Sequence, residues 1–256
     1  MAAESEKELQ QLRKRLAELS GKSYTHNIYT YTGFLSMAEQ DVFYGMPSEE
    51  KASGYRLSGG REGCERQMIQ FGSPKTLGYE EPFPIACLAV KPLMEKFADD
   101  LNHRDYLGAL MNLGIDRAAI GDIFVEGKSA YLFCTEKIAP YLMENLNKVK
   151  HTDVACVLAD AGKELPVKEP EMICFTVASE RVDGLIAKIY RLSRSQSLDL
   201  LKGRKVYING RLNENSSYGM KKGDMVSVRG YGRFLYYGAD HETKKGKWSV
   251  SAGIYR

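Results

Sequence analysis

The segment that decides the fold is Ser193 to Gly210, which reads SRSQSLDLLKGRKVYING. Ser193 and Gln196 have the spacing of a capping box, so a helix is predicted over Arg194–Lys202. Gly203 follows that helix directly and is expected to end it in the left-handed conformation. The remaining residues alternate as in a strand and close with an Asn-Gly pair, which is typical of a tight hairpin turn.

A second helix is predicted just before this segment, over residues 181–192. Four of its apolar residues lie on one helical stripe: Val182, Leu185, Ile186 and Ile189. Leu198 and Leu201 of the next helix are spaced to pack against that stripe. After the Asn-Gly turn, a return strand begins at Arg211, and a further strand is predicted over Met225–Val228. These elements make a compact ααβ module.

Charge is distributed unevenly along the chain. The 256 residues carry a net charge of only +3, but residues 181–256 hold 16 Lys and Arg against 6 Asp and Glu, a net charge of +10. Residues 1–180 therefore carry −7. Cations confined to one end are expected of a domain that binds a polyanion. We favour a nucleic-acid partner over a basic surface that is merely solvated.

Several motifs of this basic region, in their order and spacing, resemble the S4 RNA-binding domain. They are Arg181-Val182-Asp183, Ser193-Arg194-Ser195-Gln196, Gly203-Arg204-Lys205-Val206-Tyr207-Ile208-Asn209-Gly210 and Lys222-Gly223-Asp224. The resemblance implies one face that holds structured RNA, recognised by its phosphates and shape more than by its bases. The candidate RNA-binding residues of this face are Arg181, Arg191, Ser193, Arg194, Ser195, Lys202, Arg204, Lys205, Asn209 and Arg211. The cations after Arg181 are expected to cluster around one helix N-terminus and one turn.

Cationic and aromatic residues also alternate beyond residue 228. Four cations complete the candidate RNA-binding set: Arg229, Arg233, Lys244 and Lys245. The aromatic residues also fit the buried face of a hairpin, because they recur two positions apart along a strand. The pairs concerned are Phe234 with Tyr236, which are both aromatic, and Trp248 with the apolar Val250. We assign the lysine loop to RNA and the aromatic residues to packing.

The middle of the chain, residues 81–165, alternates predicted strands and helices in the order βαββαβ. The strands are residues 85–90, 122–126, 130–135 and 154–158, and the helices are residues 101–113 and 139–148. This order is that of a split βαβ sandwich, and we expect an RRM-like domain. Lys128, Tyr131 and Phe133 faintly resemble the platform on which an RRM stacks bases. Either sheet face could be the one that the helices cover, and we favour core packing over stacking.

The first 80 residues predict a small α/β domain that begins with an amphipathic helix. Leucines recur at helical spacing in it: Leu9, Leu12, Leu16 and Leu19. This helix is expected over residues 5–20 and should end at Gly21. Residues 163–170 hold two prolines and four charges and predict a linker. One more strand is predicted over residues 172–177 before the basic end.

The expected fold class is therefore α+β with three domains. The boundaries are residues 1–80 for the N-terminal α/β domain, 81–165 for the RRM-like domain, and 180–256 for the S4 domain with its C-terminal hairpin.

Motifs in the middle domain restrict the resemblance to one family of S4 proteins. Residues 103–115 read HRDYLGALMNLGI and residues 120–123 read IGDI. With Phe34-Leu35-Ser36 ahead of them and the S4-like end behind, they are similar to the YlmH family of bacterial S4 proteins over nearly the whole chain. That resemblance implies an N-terminal domain, an RRM-like domain and an S4 domain, encoded near cell-division genes. It also implies action on large ribosomal subunits that carry stalled peptidyl-tRNA.

Motifs of catalysis and metal binding are weak. His103-Arg104-Asp105 has the letters of a kinase catalytic loop, but Asn112 lies seven residues after the aspartate, where that loop requires five. Residues 210–213 read GRLN and are reminiscent of the Gly-Arg-Leu-Asp loop of pseudouridine synthases, but Asn213 replaces the catalytic carboxylate. The four histidines lie far apart in sequence. No catalytic residue, metal site or cofactor is predicted.

The five cysteines are widely spaced and form no Cys-x-x-Cys pair, which favours reduced thiols and a cytoplasmic protein. A membrane span is not expected, because no run of about 18 apolar residues occurs. A secretory signal is not expected either, because Glu4, Glu6 and Glu8 occupy the N-terminal end.

The favoured function is that of a non-enzymatic RNA-binding protein that docks on ribosomal RNA and tRNA through its S4 domain. No membrane and no small-molecule substrate are expected as partners. The large ribosomal subunit as partner, and a role in translation quality control, are what the family resemblance adds. An RNA-modifying enzyme and a cell-division interaction scaffold are the alternatives.

Overall fold

A computed structural model describes residues 2–165, 169–244 and 246–255, and for residues 2–6 the backbone only. The described residues form a mixed α/β protein with eight α-helices and three sheets. The chain separates into two compact units, Met1–Pro166 and Val167–Arg256.

The N-terminal part of the first unit combines three helices with a small antiparallel sheet. Its elements are α1 (Ala2–His26), β1 (Thr30–Tyr31), α2 (Met37–Tyr44), β2 (Tyr55–Ser58), β3 (Met68–Phe71) and α3 (Pro74–Leu77). The strands lie in the order β1-β3-β2. Leu16 of α1 is fully buried with Phe43, Ile69 and Phe71, and Leu12 and Leu19 flank them. The predicted amphipathic helix is confirmed.

The expected end of that helix at Gly21 is wrong, because α1 continues to His26. A glycine inside a helix costs only about 1 kcal/mol relative to alanine. Packing of the residues before and after Gly21 offsets this cost, because Ser20 and Ser23 are both buried. The Ser20 hydroxyl also lies 3.1 Å from that of Ser53.

The middle of the chain has the predicted βαββαβ order, with short additional elements. Its elements are β4 (Ile85–Pro92), α4 (His103–Asn112), β5 (Ile120–Glu126), β6 (Ser129–Thr135), α5 (Ala139–Asn145), β7 (Lys148–Val149), β8 (Thr152–Leu158) and α6 (Ala161–Glu164). The antiparallel sheet has the order β5-β6-β4-β8-β7. Leu88 and Leu132 of the sheet pack with Leu110 of α4 and Leu142 of α5, so the helices cover one sheet face.

The opposite face of this sheet is covered by the N-terminal part of the same unit. The buried residues of this second cluster are Phe34, Cys64, Met68, Cys87, Phe133 and Leu165. Phe133 is only 1% exposed, and a side chain at Gly60 would collide with its ring. Residues from the first 80 positions therefore complete the core of the middle domain.

Polar contacts fix this covering segment in place. The Arg66 guanidinium donates to the backbone carbonyls of Ile120 at 3.0 Å, Phe34 at 2.7 Å and Arg117 at 3.2 Å. The Asp122 carboxylate accepts hydrogen bonds from the backbone N–H groups of Glu65 and Arg66. Burial raises the pKa of Asp122 and lowers that of Arg66, as expected for charges held away from water.

The second unit is a six-stranded antiparallel sheet with a helical hairpin. Its elements are β9 (Glu171–Val177), α7 (Val182–Ile189), α8 (Arg194–Lys202), β10 (Val206–Ile208), β11 (Arg211–Leu212), β12 (Met225–Val228), β13 (Gly232–Glu242) and β14 (Trp248–Tyr255). The strands lie in the order β11-β10-β12-β13-β14-β9. The strand β9 pairs along its whole length with β14. This unit therefore begins earlier than the expected domain start at residue 180, because its edge strand precedes that residue.

The capping box at the start of α8 and its predicted bounds are confirmed. The predicted helix end is wrong, because Gly203 has φ −76° and Arg204 is the left-handed residue, with φ +56°. Glycine is required at position 203 for a different reason: a Cβ there would lie 2.9 Å from the Asp199 carbonyl.

Side-chain burial also differs in detail from the expectation. Ser197, Leu200 and Leu201 form the buried face of α8, whereas Leu198 is only half-buried. In the C-terminal hairpin, Phe234, Tyr236 and Val250 are buried as predicted, but Trp248 is 38% exposed, because it lies at the open end of the strand pair.

Candidate nucleic-acid interface

The start of α8 carries exposed positive charge that is only partly neutralised. Asp183 is buried and receives two hydrogen bonds of 3.0 Å from the Arg181 guanidinium. The Arg194 guanidinium lies 3.7 Å from the same carboxylate and its side chain is 74% exposed. One carboxylate thus faces two guanidinium groups, and the helix dipole adds positive potential at this end. Arg194 is the cation of this corner that an anion can reach.

Ser193 serves the helix itself. Its hydroxyl accepts from the Gln196 N–H at 3.2 Å, and the Gln196 side chain accepts from the Ser193 N–H at 2.8 Å. Ser195 is exposed beside Arg194. Ser193 therefore supports the interface by ordering the helix on which Arg194 lies.

A second group of cations lies at the other end of α8. Lys202, Arg204 and Lys205 are exposed, and the Lys205 carbonyl accepts from the backbone N–H of Arg229 at 2.8 Å. Because α8 rises about 1.5 Å per residue, Arg194 and Lys202 lie about 12 Å apart along it. The cations expected around one helix N-terminus and one turn include these two groups, one at each end of α8.

The structure adds an aromatic residue that the sequence analysis missed. Tyr231 is 46% exposed and its ring lies 5.4 Å from that of Tyr190 at the end of α7. Gly230 and Gly232, which have φ +88° and +108°, form the turn that presents it. The sequence signal is the run RGYGR at residues 229–233, an aromatic residue between two glycines and two arginines. An exposed ring flanked by cations suits the stacking of an unpaired base.

The flanking cations of this turn have different environments. Arg229 is exposed, whereas Arg233 is half-buried with its guanidinium 4.6 Å from the centre of the Tyr255 ring. Arg191, directly after Tyr190, is exposed and has φ +54°. Arg229 and Arg233 are thus each two residues from Tyr231 in the chain, and Arg191 follows its ring partner Tyr190.

Asn209 has a structural role. It has φ +51° and Gly210 has φ +79°, which confirms the predicted turn. Its side chain donates to Asp224 at 2.8 Å and accepts from the Met225 N–H at 2.9 Å. Asp224 is 5% exposed and also accepts from the Lys221 N–H. The Asn209 side chain thus fixes the hairpin, while Arg211 beyond the turn is exposed.

The lysine loop lies far from these residues. The strand β13 spans eleven residues, Gly232–Glu242, with Arg233 at its start and Lys244 just beyond its end. At about 3.3 Å per residue these two cations lie roughly 30 Å apart. Lys244 is exposed, and Lys245 lies outside the described residues. An RNA that contacts both ends must span the length of the hairpin.

The three residues of the base-stacking hypothesis in the middle domain are engaged in contacts within the protein. Phe133 is buried and Tyr131 is half-buried in the cluster beneath the N-terminal segment. The Lys128 ammonium donates to the carbonyls of Glu95 and Ala98 at 3.1 and 2.8 Å. Core packing, the favoured interpretation, is confirmed for Phe133.

The two motifs that resemble catalytic sequences have structural contacts as well. Asp105 accepts from the Asn102 N–H at 2.9 Å in a capping box of α4 and pairs with Lys150 at 2.8 Å. The hydrogen bond from Lys150 lowers the pKa of Asp105. The Asn213 amide donates to the Asn215 carbonyl at 3.0 Å. Among the described residues, no group of three His, Cys, Asp or Glu side chains is placed to hold a metal ion.

None of the described helices has both the length and the apolar character that a membrane crossing requires. The five cysteines form no disulfide, and of them Cys174 alone is exposed.

Comparison with known proteins places this chain first in a class and then in a family. Residues 79–161 match the family model described as "Putative RNA-binding domain in YlmH". Over 221 residues the chain is 30% identical to the Ribosome-associated protein quality control protein P2 of Bacillus subtilis (strain 168), which covers 86% of this chain and 85% of that relative. A domain of the RNA-binding class is thus present, and the chain belongs to the YlmH family.

A solved structure is also similar, the cell division protein ylmH from Streptococcus pneumoniae. It is 19% identical with a TM-score of 0.49, and the match covers 62% of this chain and 95% of that structure. The family resemblance expected from the sequence is confirmed by the curated relative and the family model.

Proposed function

We propose that this protein binds ribosomal RNA and tRNA on the large ribosomal subunit through an S4 domain and acts in translation quality control without catalysing a reaction. The S4 domain comprises residues 180–256 together with the edge strand β9. The RRM-like domain, residues 81–165, and the first 80 residues complete the chain. Membership in the YlmH family supports the ribosomal part of this proposal, since its Bacillus subtilis relative is named for ribosome association.

The observation that carries the proposal is the exposed cationic surface on both ends of α8. Arg194 lies at one end, Lys202 and Lys205 lie at the other, and all three side chains are exposed. Cationic residues whose backbone positions lie about 12 Å apart along a helix can contact separate phosphates of one RNA backbone. Such contacts recognise the shape of a folded RNA, which is what a ribosomal docking site offers.

The Tyr231 ring adds a second kind of contact. It lies between the two glycines of an ordered turn and is held by Tyr190, so little conformational freedom is lost when a base stacks on it. The proposed surface therefore combines phosphate contacts with one stacking contact to an unpaired base.

Sedimentation of the tagged full-length protein with ribosomal subunits, at low and high salt, tests the proposal. The native chain should travel with large subunits at low salt and dissociate as salt rises, because phosphate contacts release counterions. A variant with Arg194→Glu and Lys205→Glu should remain at the top of the gradient. Lys14→Glu, an exposed charge reversal on α1, is the matched control and should sediment as the native chain does.

Two outcomes would overturn the proposal. Unchanged sedimentation of the double variant would remove the C-terminal surface from the interface. A variant that still associates with subunits yet fails to complement a deletion strain would show that binding is not sufficient, and the RNA-modifying alternative would replace the present proposal.

A further inference from the structure

The helical side of the middle domain contains an open groove of about 530 Å³. One wall is α4, and the other is the chain that leaves α5 and enters β7. Its lining is mixed. Ala109, Leu113 and Leu146 give it apolar surface, and the polar residues include Asp105 with Arg104, Asn112, Asn145, Asn147 and Lys150. Arg104, Gly108 and Asn112 are four residues apart, so they form one stripe along α4.

This groove lies on the side of the domain that remains accessible. The family model assigns residues 79–161 to RNA binding, but Phe133 on the sheet face opposite to the helices is buried by Phe34, Cys64 and Met68. Bases cannot stack on a ring of which only 1% is exposed. A base-stacking platform at Phe133 is therefore closed, whereas the groove on the helical side is open.

The charged groups of the groove leave Arg104 available. The Lys150 ammonium is paired with Asp105 at 2.8 Å, and Lys148 forms a 3.7 Å pair with Asp153 on the surface. Arg104 is exposed and has no ion-pair partner among the residues that the structure describes. A guanidinium group with no carboxylate partner is suited to bind a phosphate through two parallel hydrogen bonds.

The asparagine side chains provide donors and acceptors opposite this cation. Asn112 is exposed on α4, while Asn145 and Asn147 each donate one hydrogen bond to a nearby carbonyl, of Tyr141 and of Glu144. Amides of this kind match the Watson–Crick edges of unpaired bases.

Gly108 has no packing reason within the fold. It lies inside α4 and is exposed, and a Cβ at this position would meet nothing within 4 Å. Glycine lowers helix stability relative to alanine, so its presence requires another explanation. An absent side chain at the floor of a groove allows a ligand to approach the helix backbone closely.

We propose that this groove binds a single-stranded RNA segment, with a phosphate on Arg104 and unpaired bases against the asparagine amides. The inference rests on the RNA-binding function proposed above, but it does not depend on the C-terminal surface. It gives the middle domain an RNA site on its helices in place of the covered sheet face.

Photo-crosslinking of the full-length protein to a single-stranded RNA of about ten nucleotides that contains 4-thiouridine tests the proposal directly. Crosslinked peptides should map to residues 104–112 and 145–150 in the native chain and also in the Arg194→Glu, Lys205→Glu variant. Crosslinks confined to residues 167–256 would overturn the groove proposal and leave the C-terminal proposal intact. Crosslinks confined to the groove, together with normal sedimentation of that double variant, would overturn the C-terminal proposal and leave the groove proposal intact.

Two groove variants provide the affinity test. Arg104→Glu should weaken binding of the same RNA about tenfold, both in the native chain and in the double variant. Gly108→Leu should fill the groove floor and weaken binding to a similar extent, while the melting temperature does not fall, because leucine is the better helix former. Lys14→Glu should leave the affinity unchanged. Unchanged affinity in both groove variants would refute the site.

Discussion

The Phe133 and Tyr231 rings show how differently two aromatic residues of one chain can be used. Phe133 belongs to a strand with aromatic residues at alternate positions and is 1% exposed, whereas Tyr231 lies in a glycine turn and is 46% exposed. The first ring has Phe34, Cys64 and Met68 over it. The second lies 5.4 Å from the ring of Tyr190. Accessibility of an aromatic residue therefore depends on what else packs on it and not on the strand pattern.

Charge separates the same two regions. The chain up to residue 180 carries −7 and the remainder carries +10. In the first unit, Arg66 is used to hold the covering segment by its carbonyls, whereas Arg194 in the second unit extends into solvent. An arginine that is buried in backbone contacts stabilises the fold, and one that is exposed is available for a partner.

The largest effect that separates the two rings is expected for Phe133→Ala. Removing a fully buried ring should lower the free energy of unfolding by about 3–5 kcal/mol. Urea denaturation of the two alanine variants measures this difference. Tyr231→Ala should change stability by less than about 1 kcal/mol, since much of its ring is already exposed. Equal losses would show that Tyr231 is also a packing residue.

RNA affinity should show the opposite order. Tyr231→Ala is expected to weaken binding of a structured RNA with an unpaired base by about 1–3 kcal/mol, because one stacking contact is lost. Tyr231→Phe keeps the ring and should bind as the native chain does. Titration of a fluorescent RNA hairpin measures both. If Phe fails to restore binding, the hydroxyl group and not stacking is the relevant feature.

A single reversal of charge at Lys205 sharpens the electrostatic half of the comparison. Lys205→Glu should weaken binding of the same RNA about tenfold. It should also reduce the slope of log affinity against log salt by roughly 0.7 to 0.9, the value for one phosphate contact. The matched reversal Lys14→Glu in the acidic region should alter neither quantity. An affinity loss with an unchanged salt slope would contradict a phosphate contact.

The smallest effect is expected for Ser193→Ala. Loss of the hydroxyl that accepts from the Gln196 N–H should lower stability by about 1 kcal/mol. RNA affinity should fall only as far as the first turn of α8 frays. Thermal unfolding and the hairpin titration together test this division. A tenfold loss of affinity without a loss of stability would make Ser193 a contact residue.

Local features of this fold were predictable because they depend on neighbouring residues. The capping box of Ser193 and Gln196 and the Asn209–Gly210 turn are confirmed, since hydrogen bonds and backbone conformations within a few residues determine them. The wrong helix end at Gly203 has a local cause too. Gly203 keeps a negative φ, with room for no Cβ beside the Asp199 carbonyl, and the left-handed conformation falls one residue later, at Arg204.

The candidate surface was predictable only in part. Its cations follow from composition, but their separation into groups at the two ends of α8 and at the far end of the hairpin required the structure. The sequence analysis missed Tyr231 because the residue that contacts its ring, Tyr190, lies about forty residues earlier in the chain. No pattern around residue 231 indicates that contact.

By itself the sequence determined the order of helices and strands in the middle domain, the capped helix α8 and the basic character of the C-terminal end. Each of these depends on residues close together in the chain or on a simple count of charges. Only the tertiary structure decided which sheet face of the middle domain is covered, because Phe34 and Phe133 meet across about a hundred residues. Whether a surface is buried or exposed depends on many contacts between residues that are distant in the chain. A local sequence pattern therefore cannot predict it.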